Sequence, residues 1–106
     1  MGLFGFGEKP NINEGVKLCK ETPGAVLLDV RDADEFAAGH IPGAVNLPLS
    51  SIRDAEDRFP DADTPLFVYC LSGARSSRAI AALTEMGFTN LHNIGDIQNY
   101  SGELEK

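Results

Sequence analysis

The hydrophobic positions fall into short blocks whose spacing changes along the chain. Ile12, Val16 and Cys19 recur at i, i+4 and i+7, one face of a short helix that ends before Pro23-Gly24. Ala25-Val26-Leu27-Leu28 follows as an unbroken apolar run. It is too short for a helix between breakers and has the pattern of a strand buried on both faces, as in a parallel sheet. Asp32 with Glu35 three residues on is a capping-box signal for a short helix closed by Gly39, and Pro42-Gly43 marks a turn. Ala44 to Leu47 predicts a second short strand, and a weaker helical pattern from Ser51 to Phe59 stops at Pro60. Leu66-Phe67-Val68-Tyr69 is a third apolar strand, entered through Pro65. Ile80, Leu83 and Met86 then form a helical stripe, and Gly87 suits a left-handed cap that folds Phe88 back onto Leu83. Leu91 to Ile94 supplies one more strand.

Strands alternating with helices through short connections predict an α/β domain with a mainly parallel sheet flanked by helices. In such sheets sites collect beyond the carboxyl ends of the strands. A length of 106 residues suffices for one modest core and no second, so one domain over 1–106 is expected, with 1–10 as a loose N-terminal arm. Hydrophobic residues at 42% and charged ones at 24% exclude a disordered, collagen-like or coiled-coil chain. Nine basic against 16 acidic residues leave a net charge of −7, which disfavours nucleic acid and anionic lipid as partners. No run approaches the ~18 apolar residues of a membrane span. The opening MGLFGFGEKP is too short for a signal-peptide core, and Phe6 stands where a myristoylation signal has Ser or Thr. Two well-separated cysteines do not make a disulfide scaffold, and a reducing, cytoplasmic setting is the simpler expectation.

Candidate chemistry concentrates in Cys70-Leu71-Ser72-Gly73-Ala74-Arg75-Ser76-Ser77-Arg78, between the Leu66–Tyr69 strand and the helix of Ile80 and Leu83. There a strand's carboxyl end meets a helix N-terminus, where unpaired amides and the positive end of the helix dipole stabilise an anion and lower a thiol's pKa. Gly73 allows a positive φ, so that successive amides can turn inward around the sulfur. No acidic residue occurs from Thr64 through Thr84, while Arg75 and Arg78 both fall there. A nucleophilic Cys70 is therefore favoured over a buried structural thiol. Cys19, on an apolar helical face, is expected to be a core thiol.

Two separate motifs resemble the rhodanese-like (thiosulfate sulfurtransferase) domains over roughly Ala25 to Ile94. Leu28-Asp29-Val30-Arg31, Glu35-Phe36 and Gly39-His40-Ile41-Pro42-Gly43-Ala44-Val45-Asn46 are similar to that family's structural signature, and Cys70-Leu71-Ser72-Gly73-Ala74-Arg75-Ser76 to its active-site loop. The resemblance implies a five-stranded sheet, four strands being clear from the residues themselves. It also implies a Cys70 persulfide cradled by the amides of Leu71, Ser72, Gly73, Ala74, Arg75 and Ser76. The expected activity moves a sulfane sulfur from thiosulfate or a persulfide donor to a thiol, or to cyanide in an assay, with no metal or organic cofactor. Family members usually end the last strand with two glycines and a tryptophan shortly after; here Gly95-Asp96 and Tyr100 stand there, and the chain has no tryptophan.

Arg75 is the candidate for attracting an anionic donor and bracing the loop, and Arg78 reads as a solvated helix residue. Ser72 and Ser76 are placed to bond the outer sulfur, with helix capping by Ser76 or Ser77 the alternative. An Arg31 ion pair with Glu35 or Asp29 is expected to fix the neighbouring loop. His40 is read as satisfying backbone groups in a turn and His92 as half exposed on a strand. Two rivals stay open. A phosphatase or arsenate reductase places five residues between its Cys and Arg, whereas four separate Cys70 from Arg75. A non-catalytic interaction or redox-sensing module would share the fold without sulfur transfer.

Overall fold

The computed structural model of the chain describes residues 11–106, so the expected arm of residues 1–10 lies outside the described residues. Helix α1 (Ile12–Glu21) begins at Asn11, whose side chain accepts the Glu14 amide at 3.0 Å, and it buries Ile12, Val16 and Cys19 as the spacing predicts. Strand β1 (Val26–Asp29) leads into α2 (Ala33–Ala38), β2 (Val45–Asn46), a 3₁₀ segment (Leu49–Asp54) and α3 (Ala55–Arg58). Strand β3 (Leu66–Cys70), α4 (Ala74–Glu85), β4 (Leu91–Asp96) and a 3₁₀ turn (Ile97–Asn99) complete the order. The four strands form one sheet in the order β2-β1-β3-β4, every pair parallel. This is the expected α/β class, with four strands among the described residues rather than the five implied by resemblance.

The central strand β3 is buried at all five positions. Leu66, Val68 and Cys70 face α4 and the 3₁₀ segment in one core with Leu28, Val30, Ile52, Ala79, Leu83 and Phe88. Phe67 and Tyr69 face α1 in a second core with Leu27, Ile12, Val16, Cys19 and Ile94. A strand covered on both faces must be apolar on both, which is why it reads as an unbroken run.

Several boundaries move for physical reasons. The expected strand Ala44–Leu47 shortens to Val45–Asn46, although Leu47 N still bonds Asp29 O at 2.9 Å, and the chain turns at Pro48 into the 3₁₀ segment. The expected helix Ser51–Phe59 is replaced by the 3₁₀ segment Leu49–Asp54, kinked at Ser51 (φ −113°, ψ 18°), and the single turn Ala55–Arg58, because only Ile52 and Ala55 of this stretch are buried and little packing holds it regular. The expected strand Leu91–Ile94 extends to Asp96 through a bulge, with Asn93 opposite Val68 but Gly95 opposite Tyr69. Gly95 takes φ +95° there, a conformation open to glycine. The end of α4 follows the sequence: Gly87 has φ +104°, its amide bonds Thr84 O, and Phe88 N bonds Leu83 O at 3.1 Å. The departure near the carboxyl end is absorbed locally. Ile97 is buried and Tyr100 packs on the α1 core, while Asn13 of α1 accepts the Ser101 amide at 2.9 Å.

Gly15 marks the closest approach of α1 to the sheet. A Cβ at position 15 would stand 2.5 Å from Cβ of Ile94, a buried atom near the backbone that has no room to yield. Gly15→Ala gains helix propensity worth about 1 kcal/mol but incurs an overpacking cost of roughly 1–3 kcal/mol. The substitution is expected to lower Tm, and a thermal melt followed by circular dichroism checks it.

Candidate active site

The site is built where β3 stops. Cys70 ends the strand, and Leu71-Ser72-Gly73 turns the chain into α4 with Gly73 at φ +100°. Gly73 is the N-cap of α4 and has no side chain to accept the open amides of the first turn. The sulfur of Cys70 takes that place. Gly73 N lies 2.9 Å and Ser76 N 3.3 Å from Cys70 Sγ, and Ser76 Oγ lies 3.6 Å away. Burial pushes the thiol up, but hydrogen bonds from the Ser76 hydroxyl and from the Ser76, Gly73 and Ser72 amides outweigh it, so the Cys70 pKa lies below its ordinary value. Burial alone pushes Cys19 up, and Cys19 lies in the core on the opposite face of the sheet. The two thiols are thus separated by the sheet, and Cys19 lies in a core as expected.

The serines do not cap by accepting amides. Ser77 Oγ donates to Gly73 O at 3.0 Å and Ser76 Oγ lies 2.9 Å from the same oxygen, so the capping alternative gives way to a turn cross-braced by hydroxyls. Ser72 and Leu71 are exposed on the loop, and Leu71 is an exposed large hydrophobic residue beside the buried sulfur.

Arg75 turns away from the loop carbonyls. Its Nη1 and Nη2 donate to Oε1 and Oε2 of Glu35 at 2.6 and 3.0 Å, a two-pronged bridge from α4 to the first turn of α2. Glu35 Oε1 also accepts the Asp32 amide at 2.9 Å, so one carboxylate serves the expected cap and holds the arginine. Sequence reasoning left this partner unassigned because Glu35 and Arg75 lie 40 positions apart. Arg31 chooses Asp29 of its two expected partners. Its Nη2 reaches Asp29 Oδ2 at 2.7 Å and Gly39 O at 2.7 Å, with both charged side chains buried. His40 Nδ1 meets Phe36 O at 2.9 Å, as read, and His92 is partly buried against the Phe67 ring.

Asn93 was not singled out, although its Oδ1 lies 2.9 Å from Ser76 Oγ and its Nδ2 donates to Ser77 Oγ at 3.1 Å. The available signal was a polar amide inside a strand, where asparagine is depleted.

The arrangement can hold a small anion on an activated sulfur at a sheet's carboxyl edge. The family model for the Rhodanese-like domain matches residues 13–103. The chain belongs to the rhodanese-like domain family. This rhodanese-like domain is 42% identical over 89 residues to thiosulfate sulfurtransferase GlpE of Pseudomonas entomophila, covering 84% of this chain and 81% of that protein. It is 33% identical over 73 residues to thiosulfate sulfurtransferase PspE of Escherichia coli, covering 68% and 70% of the two chains. It is also 37% identical over 82 residues, 76% of its own length, to the uncharacterized protein YqhL of Bacillus subtilis, of which it spans 64%. Among solved structures it is similar to a rhodanese-like domain protein from Staphylococcus aureus, with TM-score 0.78 and 26% identity over 92% of this chain and 95% of that one. A rhodanese with anions from E. coli gives TM-score 0.71 and 30% identity over 77% and 98%. These relatives place the rhodanese-like domain among enzymes of the sulfurtransferase class. No described helix is long and apolar enough to cross a membrane.

The Glu35–Arg75 bridge has a pH signature. The arginine hydrogen bond holds the Glu35 carboxyl down, at about 2 against an ordinary 4.5. A depressed carboxyl contributes stability that is fully present above the ordinary value and is lost as pH falls through the folded one. The rhodanese-like domain should therefore lose stability between pH 4.5 and 2, and Glu35→Gln should show a smaller loss across that window. Urea unfolding midpoints at stepped pH test this; parallel curves for the two proteins would mean that the bridge is not formed in solution.

Proposed function

We propose that the rhodanese-like domain transfers a sulfane sulfur through Cys70. The carrying observation is the sulfur at the helix N-cap, receiving amides at 2.9 and 3.3 Å. The Cys70 thiolate attacks the outer sulfur of thiosulfate; the new S–S bond forms as the old one breaks, and sulfite leaves with the electron pair. The resulting Cys70 persulfide is anionic at neutral pH, so the amides and helix dipole that favoured the thiolate also hold the intermediate. An acceptor thiolate then attacks the outer sulfur, and Cys70 leaves as the thiolate that begins the next cycle. A persulfide donor enters by the same step with a thiolate as leaving group. Neither half-reaction needs a metal or a redox cofactor.

In this reading the amides of Leu71, Ser72, Gly73, Ala74, Arg75 and Ser76 form the sulfur site, and Arg75 braces it against α2 through Glu35 while lending positive charge. The loop with four residues between Cys70 and Arg75 suits a lone sulfur better than a phosphoryl group. A reducing, cytoplasmic setting fits the free Cys19 and Cys70.

Exposure to thiosulfate should add one sulfur atom to the intact mass, mapping to the Cys70 peptide. Cys70→Ser should abolish this with the fold retained, and Cys19→Ala should lower Tm more than turnover. A Cys70→Ser protein that still transferred sulfur would remove Cys70 from its role, and faster hydrolysis of an aryl phosphate than sulfur transfer would favour the phosphatase reading. Arg75→Ala should lower kcat/KM for thiosulfate on the order of fivefold, equivalent to about 1 kcal/mol for a partly exposed charge contact. Arg78→Ala should change it less. Steady-state kinetics at two ionic strengths separate the two; equal, small effects would leave donor binding to the backbone amides.

A further inference from the structure

Asn93 stands on β4 with its side chain spanning to the first turn of α4, and each of its polar atoms has a partner. Gly95 N donates to Oδ1 at 3.1 Å, which fixes which end of the amide is oxygen. The same Oδ1 lies 2.9 Å from Ser76 Oγ, and Nδ2 donates to Ser77 Oγ at 3.1 Å. The two serines it grips are consecutive, and the first contributes both an amide and a hydroxyl to the surroundings of Cys70 Sγ. We propose that Asn93 is a positioning residue that clamps the first turn of α4 to β4 and so sets how firmly the amide cradle holds the sulfur of Cys70. The proposal rests on the reading of Cys70 as the sulfur carrier.

The hydrogen-bond inventory around Ser76 explains why an asparagine suits the position. Ser76 is fully buried, and its single hydroxyl proton faces Gly73 O at 2.9 Å, Asn93 Oδ1 at 2.9 Å and Cys70 Sγ at 3.6 Å. When the sulfur is a thiol, its proton can go to Ser76 Oγ while the serine donates to Asn93 or Gly73. When the sulfur is an anion, the serine proton turns to it, and neither abandoned acceptor is left bare. Asn93 Oδ1 keeps the Gly95 amide, and Gly73 O keeps the Ser77 amide and hydroxyl. Buried polar groups stay satisfied in both states, so the switch avoids the desolvation penalty of an orphaned partner. Through Nδ2 and Ser77, Asn93 holds the turn in place while the proton moves.

The charged groups around the thiol are Arg75 on α4 with Glu35 and Asp32 beside it, the Asp29–Arg31 pair at the end of β1, and Asp96, in register with Cys70 on β4. Tyr69, the neighbouring titratable residue on β3, packs in the other core. Asn93 hydrogen-bonds to none of these, so a neutral change at position 93 removes no charge and breaks none of their bonds; what it removes are the two serine contacts and the acceptor of the Gly95 amide.

The test is the pH dependence of Cys70 alkylation by iodoacetamide in the full chain, followed by mass spectrometry of the Cys70 peptide. Asn93→Leu removes both clamping bonds, and with them the acceptor of the Gly95 amide, at similar volume. It is expected to raise the midpoint by about one unit, a tenfold lower thiolate fraction at any pH below both midpoints. Ser77→Ala, at an exposed position, removes the Nδ2 partner and one hydroxyl bond to Gly73 O while leaving the Asn93–Ser76 contact, and should raise the midpoint by less. A folded Asn93→Leu protein with an unchanged midpoint overturns the proposal, whatever its Tm. Should Asn93→Leu fail to fold, an unchanged midpoint in Ser77→Ala overturns it. Alkylation reports the cradle whether or not sulfur moves, so a wild-type protein that took no sulfur from thiosulfate would overturn the proposed function and leave this measurement able to judge Asn93.

Discussion

A strand buried on both faces has to end somewhere, and here its last residue is Cys70. All five residues of β3 are buried, with β1 and β4 on its two edges and a helix layer over each face. The covering layers fix the position of Cys70 as firmly as that of Val68, because the packing that orders one orders the other. The chain must then leave the sheet within a few residues and start a helix on the face that Cys70 already points to. Gly73 permits the turn, and the sulfur becomes the acceptor that the glycine N-cap lacks. The sulfur of Cys70 is thus part of the helix cap.

Taking a thiolate out of water costs free energy, and amides repay it only if they are already aimed at the sulfur. In this cradle the donors are backbone N–H groups of an ordered helical turn, so little reorganisation accompanies the charge. Removing such a turn from register by a fraction of an ångström would weaken several bonds at once, which is why the bracing around it matters. Three separate ties converge there: hydroxyls onto Gly73 O, the Glu35–Arg75 bridge to α2, and Asn93 from β4.

The two ion pairs near the site differ in kind. Asp29 and Arg31 are buried, and Arg31 also bonds Gly39 O while Asn46 Nδ2 donates to the carbonyls of Asp29 and Arg31. Breaking a buried pair by removing one partner costs roughly 3–5 kcal/mol, since the remaining charge is stranded. This pair therefore holds β1, the end of α2 and β2 together as one frame. Glu35 and Arg75 are each about 30% exposed at the side chain, and such a pair is worth about 1 kcal/mol or less. Its value lies in placement, because it spans the space between α2 and the loop.

Much of this was legible in the sequence because it depends on local pattern. The apolar runs at Ala25–Leu28 and Leu66–Tyr69, the stripe of Ile80, Leu83 and Met86, the Gly87–Phe88 cap and the cysteine at a strand-to-helix junction each follow from spacing and backbone preference within a few residues. Periodicity carries no information about partners 40 residues away, so Arg75 could be read as a loop brace but not as the partner of Glu35. The same limit left Arg31 with two candidate partners, and only the fold put Asp29 within 2.7 Å. Asn93 was silent for another reason. Its amide acts across the bulge that sets Gly95, rather than Ile94, opposite Tyr69, and a bulge is decided by how two strands pair. The sequence by itself determined which residue stands at the strand-to-helix junction; the tertiary structure alone decided what holds that residue still, because the holding contacts join elements that only packing brings together.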